Sequence, residues 1–461
     1  MRKARLFLAL LSGATALAPA ATWASNATPN GNDGSAASAG PIVVLITLDG
    51  FPARALDDPR LPMPTLRALQ AAGAWARTMQ PVNPTVTWPN HTALITGVNA
   101  RGHHVLANGL IVLPEDGSAV DVKPWVPRTR LVQAPTLYDA LAARGMTTGQ
   151  VDWVAIYDAE HVQWSFAEKP VVDNPVSRDL IRDGHATAEQ ISAFGDSSPA
   201  WRDQIYTDAG IDILVHHTPN LLLLHLLQTD TLQHGYGPLT PAAYDAYAYA
   251  DAQIKRVMDA ARASGLLERI TFVIASDHGF ATYTHSIRAN ALLAQLGLLT
   301  KDGDVYKGKA WALAEGGEAS VFIRDKAHYR EQLARLGEAF AKMPGVASVH
   351  GVEDFARFGL PTPGESDQAP DLYLVAKPGY AFQPGVDAPV VEDTVGPKGA
   401  HGYLNTDSDM QALFIASGAH IKPGTALGAI SNLRVAPTLA RLLGVSLPDA
   451  KQPALDEALA P

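Results

Sequence analysis

Six residues that can bind a metal ion, together with one threonine, are spread along the chain in five short segments. Three of the six are aspartates and three are histidines, so they offer only oxygen and nitrogen ligands. Such a ligand set suits two zinc ions that share a hydroxyl nucleophile, an arrangement typical of phosphate-ester chemistry. The seven residues are Asp49, Thr87, Asp230, His234, Asp277, His278 and His401.

The spacing of these residues adds local expectations. Asp230 and His234 are four apart, which on a helical turn puts both side chains on one face. Asp277 and His278 are adjacent, so both can reach one ion only if the strand before them has ended. His401 lies in a glycine-rich loop. Each pattern alone is more typical of an ordinary Asp-His pair or a surface histidine, and it is their joint occurrence that favours metal binding.

Thr87 needs a separate argument, because a threonine hydroxyl is a weak nucleophile unless its pKa is lowered, as coordination to zinc does. Pro89 favours a helix start, and residues 90–96 read as helical, so Thr87 is expected near a helix N-terminus. Backbone N–H groups there favour a phosphate oxyanion. The alternative is a threonine that only caps the helix.

Continuous apolar runs alternate with helical segments along the chain. The run 42–48 precedes Asp49 and has the pattern of a strand buried on both faces of a parallel sheet. Ligands bind at the carboxyl ends of such strands, where metal-binding segments recur here. We expect a layered α/β protein with strands at 42–48, 221–227, 270–275 and 412–416 and helices at 65–72, 136–144, 242–263, 327–342 and 433–443.

The sequence predicts one catalytic domain over residues 41–448, followed by a C-terminal tail at 449–461. Two stretches, about 110–198 and 292–397, are rich in Pro, Gly, Asp and Trp and fit the repeating pattern less well. We interpret both as insertions that wall and cover the site.

The first residues predict export. Three basic residues precede an apolar run and then small residues, which is typical of a signal peptide over residues 1–24, with a flexible leader at 25–40. The alternative, a membrane anchor, needs roughly 20 apolar residues. We expect a periplasmic or secreted bacterial protein with no stable membrane anchor after cleavage.

Composition excludes some functions. The formal net charge of −10 disfavours binding to nucleic acid polymers. The chain has no cysteine, so disulfides and thiolate metal ligands are excluded.

The segments Leu48-Asp49-Gly50-Phe51, Thr87-Trp88-Pro89-Asn90-His91, Ser276-Asp277-His278-Gly279 and His401-Gly402-Tyr403, with Asp230 and His234, resemble the nucleotide pyrophosphatase/phosphodiesterase family of the alkaline phosphatase superfamily. The resemblance implies an alkaline-phosphatase-like layered α/β/α fold with a mostly parallel sheet and inserted cap segments. It also implies two Zn²⁺ per chain with Thr87 between them: one bound by Asp230, His234 and His401, the other by Asp49, Asp277 and His278.

The resemblance assigns three further residues. Asn108 matches an asparagine that contacts a phosphoryl oxygen, although it could equally be a turn residue before Gly109. Trp88 matches an aromatic residue placed against the leaving group or base, and ordinary packing is its alternative. His225 replaces a tyrosine that stacks on the base in nucleotide-cleaving relatives, which weakens the nucleotide assignment.

The expected activity is hydrolysis of a small-molecule phosphate ester through a phospho-threonine. Among the enzymes that do this, we favour a phosphodiesterase or nucleotide pyrophosphatase. No arginine is evident beside the nucleophile, since Arg101 reads as a solvated helix-end charge, and this favours diesters. A phosphomonoesterase, a phosphonate hydrolase or a sulfatase on the same site stays open. Two further alternatives are a non-catalytic periplasmic zinc-binding protein and a manganese-dependent mutase.

Overall fold

The computed structural model of this protein describes residues 40–461. The predicted signal peptide, and the leader up to residue 39, lie outside that range. At the centre of the fold is the strand Ile42–Leu48, whose seven residues are all buried. The strands Leu221–Leu226 and Ile270–Ala275 pair with it in parallel on either side and are buried throughout. Runs of apolar residues form such strands where other elements cover both faces of a sheet.

The central sheet has eight strands. Phe414–Gly418 runs antiparallel to its neighbour, so the sheet is mostly rather than wholly parallel. The sequence predicts this strand two residues early and does not reveal its direction. In spatial order the strands are Thr425–Ala426, Ala74–Trp75, Phe414–Gly418, Ile270–Ala275, Ile42–Leu48, Leu221–Leu226, Thr148–Val151 and Trp164–Phe166.

Helices cover both faces of this sheet. Val44 and Ile46 point into one apolar cluster, which includes Tyr247, and Val43 points into a second cluster that includes Leu439. The predicted layered α/β/α fold is confirmed. The α-helices of the described residues are Pro64–Ala72, Thr87–Thr96, Ala100–His103, Arg128–Leu131, Leu137–Ala142, Pro175–Arg182, Ala188–Ser192, Pro199–Asp212, Gln228–Tyr236, Pro241–Ala263, Ala289–Gln295, Tyr329–Ala341, Val352–Phe358 and Val435–Leu443.

The stretch 292–397 contains a separate four-stranded sheet. Its four antiparallel strands are Ala310–Ala314, Glu318–Ile323, Leu372–Ala376 and Val346–His350. A three-stranded sheet made of Gly379–Phe382, Ala281–Ile287 and Val391–Ala400 leads the chain directly to His401. Shorter strand pairs join Leu110–Val112 to Asp121–Lys123, Leu299–Asp302 to Val305–Gly308, and Thr78–Gln80 to Ala429–Ser431.

The stretch 110–198 differs from the prediction. It contributes Thr148–Val151 and Trp164–Phe166 to one edge of the central sheet, so part of it belongs to the core layer rather than to a cap. Both strands are short, and Thr148, Gly149 and Gln150 obscure the apolar pattern. No helix in residues 40–461 combines the length and the apolar character that crossing a membrane requires.

Candidate metal centre and nucleophile

The first group of metal-binding side chains lies where two central strands end. Asp49 follows Ile42–Leu48, and its backbone N–H donates to the Leu226 carbonyl at 2.9 Å. Asp277 comes two residues after Ile270–Ala275, and its Oδ1 accepts from the Gly50 N–H at 3.0 Å. Asp49, Asp277 and His278 are buried, and each offers a ligand atom within 4.8 Å of the others.

The second group combines a helix and a loop. Asp230 and His234 share one face of the helix Gln228–Tyr236, with Oδ1 and Nε2 3.3 Å apart. The Nε2 atom of His401 lies 3.8 Å from the same Asp230 oxygen. Ligand atoms of these three residues also lie within 4.8 Å of one another.

The three histidines of the two groups are oriented in the same way. The Nδ1 atom of His278 faces the Gly279 carbonyl at 3.0 Å, that of His234 faces Gly399 at 3.2 Å, and that of His401 faces Thr85 at 3.0 Å. A carbonyl only accepts, so each Nδ1 carries the proton and each Nε2 keeps its lone pair. Such backbone contacts fix the tautomer and the ring orientation of a metal-binding histidine.

The carboxylates also have the character of metal ligands. One buried oxygen of each of Asp49, Asp230 and Asp277 has no hydrogen-bond partner within residues 40–461. Leaving a buried charged oxygen unpaired is costly, and a divalent cation would satisfy it. The residues present therefore fit two divalent cations, one in each group.

The pKa values of Asp49 and His401 also indicate that these groups suit a cation. Burial, reinforced by Asp277 and Asp230, raises the pKa of Asp49 well above its usual range. Burial also lowers the pKa of His401 well below its usual range, with help from His278 and His234. A neutral imidazole can bind a metal, and crowded carboxylates need a cation between them.

Thr87 begins the helix Thr87–Thr96, as predicted, and its side chain is nearly buried. Its Oγ1 lies 3.5 Å from the Nε2 atom of His278, in the first group. The Thr85 carbonyl, two residues earlier, accepts from His401 of the second group. The segment 85–87 therefore contacts both groups, and the hydroxyl sits at a helix N-terminus.

Asn108 and Trp88 lie next to this threonine. The Asn108 Oδ1 accepts from the Trp88 backbone N–H at 3.0 Å, so the NH₂ end of the amide is left as a donor. Trp88 is only 5% exposed and packs among apolar side chains, with its ring stacked on Tyr157 at a centroid distance of 6.2 Å. Its position supports packing more than broad contact with a ligand.

His225 occupies a different place from the one its predicted role requires. Stacking on a base needs an open ring face, yet the residue is 0% exposed. Its Nε2 lies 3.3 Å from Asp49 Oδ2, and its Nδ1 lies 3.3 Å from Asp152 Oδ2. His225 therefore supports the Asp49 carboxylate, because the strand Leu221–Leu226 turns its side chain into the interior.

Sequence reasoning missed two residues beside the site. His91, four residues after Thr87 on the same helix face, contacts Thr47 Oγ1 through Nε2 at 2.9 Å and has Nδ1 3.5 Å from Asp277 Oδ2. The i, i+4 spacing from Thr87 was a signal for His91. Asp152 has no such signal, because only the tertiary fold brings it to His225.

Comparisons with known proteins identify the family of this chain. Residues 43–404 match the family model described as Type I phosphodiesterase / nucleotide pyrophosphatase. Ectonucleotide pyrophosphatase/phosphodiesterase family member 1 of Mus musculus is 23% identical over 412 residues, 88% of this chain and 41% of that protein. Family member 7 of Homo sapiens is 22% identical over 414 residues, covering 88% of this chain and 81% of its own. The chain thus spans less than half the length of the mouse relative.

A solved structure shows the same fold. The inactive variant of murine ectonucleotide pyrophosphatase/phosphodiesterase 5 in complex with AMP superposes with a TM-score of 0.68 at 17% identity, covering 91% of this chain and all of that one. The family model and the relatives confirm the predicted enzyme class, a hydrolase acting on phosphoric ester bonds. The chain belongs to the Type I phosphodiesterase/nucleotide pyrophosphatase family, within the alkaline phosphatase superfamily.

Proposed function

We propose that this chain is a two-zinc phosphodiesterase of the nucleotide pyrophosphatase type that acts through a phospho-threonine at Thr87. The position of Thr87 supports this most directly. Its hydroxyl lies at a helix start, 3.5 Å from a histidine of one ligand group, and its segment also contacts the other group.

Asp230, His234 and His401 would hold one zinc, and Asp49, Asp277 and His278 the other, with the Thr87 oxygen as a shared ligand. When bound, such a pair lowers the pKa of the threonine hydroxyl and neutralises charge on the phosphoryl oxygens. Oxygen and imidazole nitrogen ligands without thiolates suit zinc. The Thr87 hydroxyl beside the ligands argues against a protein that only stores metal.

Each residue of the site would have its own role in the reaction. The Thr87 oxygen gives its proton to solvent and attacks phosphorus, the bond from phosphorus to the leaving oxygen breaks, and the leaving group takes up a proton from solvent. Water then attacks the phospho-threonine, the bond from phosphorus to the Thr87 oxygen breaks, that oxygen regains a proton, and the second product is released. The NH₂ group of Asn108 and the backbone N–H of Thr87 donate to the nonbridging oxygens, where negative charge grows.

The charge balance favours a diester. Three carboxylates and three neutral imidazoles carry three negative charges, so two dications leave an excess of about one positive charge. A diester phosphate has one negative charge, whereas a monoester has close to two. Arg101, which follows the helix of Thr87 in the chain, is exposed and pairs with Glu365. It is therefore engaged away from the nucleophile.

The comparisons extend the proposal to nucleotides. A structural relative holds AMP, and several relatives are named as nucleotide pyrophosphatases. With His225 buried and Trp88 packed in an apolar cluster, the ring of Tyr157, stacked on Trp88, is the better candidate to border a base. Tyr157 is partly exposed, and its hydroxyl donates to Glu168 at 3.0 Å.

Replacing Thr87 with alanine tests the nucleophile. We expect unchanged zinc content and loss of turnover, because the ligand groups stay intact while the attacking oxygen is gone. Thr92 is the matched control: it lies on the same helix and its hydroxyl only donates to the Trp88 carbonyl, so Thr92→Ala should keep its activity. Full activity in Thr87→Ala would contradict the proposal.

A substrate comparison tests the ester class. The purified protein should cleave bis-p-nitrophenyl phosphate faster than p-nitrophenyl phosphate, and nucleotide pyrophosphates should be cleaved between their phosphates. A strong preference for the monoester would contradict the diester assignment while leaving the role of Thr87 intact.

We also propose that the protein is exported, on the basis of the basic and apolar pattern of its first residues and the absence of cysteine. N-terminal sequencing of protein recovered outside the bacterial cytoplasm tests this. A first residue close to position 25 is expected, and an intact N-terminus on cytoplasmic protein would contradict export.

A further inference from the structure

A third cluster of metal-binding side chains lies apart from the proposed active site. Asp179, Asp212 and His217 each offer a ligand atom, and these atoms lie within 4.8 Å of one another. Asp179 belongs to the helix Pro175–Arg182, and Asp212 ends the helix Pro199–Asp212. Neither helix carries a residue that the proposed reaction uses.

The backbone is locally altered so that His217 joins this cluster. Asp212 and His217 are five residues apart, which on an α-helix would put them about 140° apart around the axis. The turn Ile213–His217 is π-helical, and the i to i+5 pairing of a π-helix brings residues five apart onto one face. Such turns interrupt helices most often at functional sites.

The strongest evidence that this cluster can bind a ligand comes from one carboxylate oxygen of Asp212. The side chain is 5% exposed; its Oδ1 faces His216 Nδ1 at 2.8 Å, and its buried Oδ2 has no hydrogen-bond partner within residues 40–461. Asp49, Asp230 and Asp277 each leave one buried oxygen unpaired in the same way. The third cluster therefore resembles both groups of the proposed active site in combining such an oxygen with further carboxylate and imidazole ligand atoms within 4.8 Å.

The other two residues of the cluster, Asp179 and His217, are accessible to solvent. His217 is partly exposed and stacks on the ring of Trp164, with centroids 4.7 Å apart and planes 16° apart, which holds the imidazole in place. The Asp179 side chain is 27% exposed, and one of its oxygens pairs with Arg182, whose side chain is 60% exposed. A mobile surface guanidinium is a partner that a cation can displace.

We propose that Asp179, Asp212 and His217 form a further site for a divalent transition metal of the zinc type, which ties the helices Pro175–Arg182 and Pro199–Asp212 and the π-helical turn together. Two carboxylates and one imidazole suit zinc, and three protein ligands leave a position for water. The site is independent of the proposed function, because it shares no residue with it.

Zinc content tests the proposal. Wild-type protein and the variants His217→Ala and Asp179→Asn are equilibrated with zinc, freed of unbound metal, and analysed for ions per chain. Each variant should hold about one ion fewer than the wild type. His328→Ala is the matched control, since His328 also faces an aspartate at 3.1 Å, but that exposed pair does not belong to any of the three clusters.

Thermal unfolding provides a second measurement. Zinc should raise the unfolding midpoint of the wild type more than that of His217→Ala, because an ion bound only by the folded state stabilises it. Phosphodiesterase activity of the variant should stay unchanged. Zinc content equal to that of the wild type in both variants would overturn the proposal, whereas loss of the Trp164 contact alone would leave the zinc content as it is.

Discussion

His225 and Asp49 form a buried pair, with Nε2 of the imidazole 3.3 Å from Oδ2 of the carboxylate. The second ring nitrogen lies equally close to Asp152, so the ring bridges two carboxylates. Although burial opposes it, these two aspartates raise the pKa of His225 well above its usual range. The ring therefore faces Oδ2 of Asp49 and leaves the other oxygen, Oδ1, without a hydrogen-bond partner among residues 40–461.

His225→Gln should weaken zinc binding in the Asp49 group by roughly 10- to 100-fold, the usual cost of losing a residue that orients a ligand. Competition with a chelator measures the affinity directly, without relying on turnover. His285→Ala is the control, because His285 faces Asp393 on the surface. Equal affinities in both variants would show that His225 does not position Asp49.

Trp88→Ala should lower the free energy of unfolding by about 3–5 kcal/mol, since a large buried ring is lost from an apolar cluster. The matched variant is Trp125→Ala. Trp125 is 43% exposed and has the Lys169 ammonium 3.1 Å from its ring centroid, so we expect a loss of about 1 kcal/mol or less. Chemical denaturation measures both, and similar losses would contradict the packing role.

Gly50→Ala should be destabilising by about 1–3 kcal/mol, because φ is +65° and a Cβ atom would lie 2.6 Å from a Phe280 ring carbon. It should also disturb Asp277, which accepts from the Gly50 N–H. Gly145→Ala isolates the strain of a positive φ, since φ is +68° there and no atom lies within 4 Å. Unfolding curves should show the larger loss for Gly50→Ala, and the reverse order would refute the steric argument.

Glu318→Gln should stabilise the protein at alkaline pH. The side chain is 1% exposed, its two carboxylate oxygens have no hydrogen-bond partner in the described chain, and burial, with a contribution from Glu315, raises its pKa well above 4.5. The folded state therefore binds this proton more tightly than the unfolded state does. The resulting stability is complete below about pH 4.5 and is lost as the pH rises through the raised pKa.

Unfolding free energies measured from pH 4 to pH 8 check this. The unfolding free energy of the variant should increase relative to that of the wild type as the pH rises, and the two free energies should converge near pH 4. The exposed pair partner Glu338, whose pKa Lys342 lowers, is the control: Glu338→Gln should not gain with rising pH. A difference for Glu318→Gln that is constant with pH would contradict the role of burial.

Much of the fold could be predicted from the sequence, because local patterns carry the information. Apolar runs of six or seven residues with no polar alternation are compatible only with strands covered on both faces, and the central strands lie where these runs predict them. The edge strand Thr148–Val151 could not be predicted, because it is short and contains Thr, Gly and Gln. The direction of the strand Phe414–Gly418 could not be predicted either, because parallel and antiparallel strands can be buried to the same extent.

The sequence by itself determined the inventory of the site: three aspartates, three histidines and a threonine at a helix start, each after a strand or in a turn that could present it. Parallel strands end at one edge of a sheet, so residues after them meet there. Only the tertiary structure decided the environment of each side chain. It buried His225 between Asp49 and Asp152, and it joined Asp179 to His217 through a π-helical turn. Contacts of this kind join residues far apart in the chain, and their distances depend on packing that no local spacing encodes.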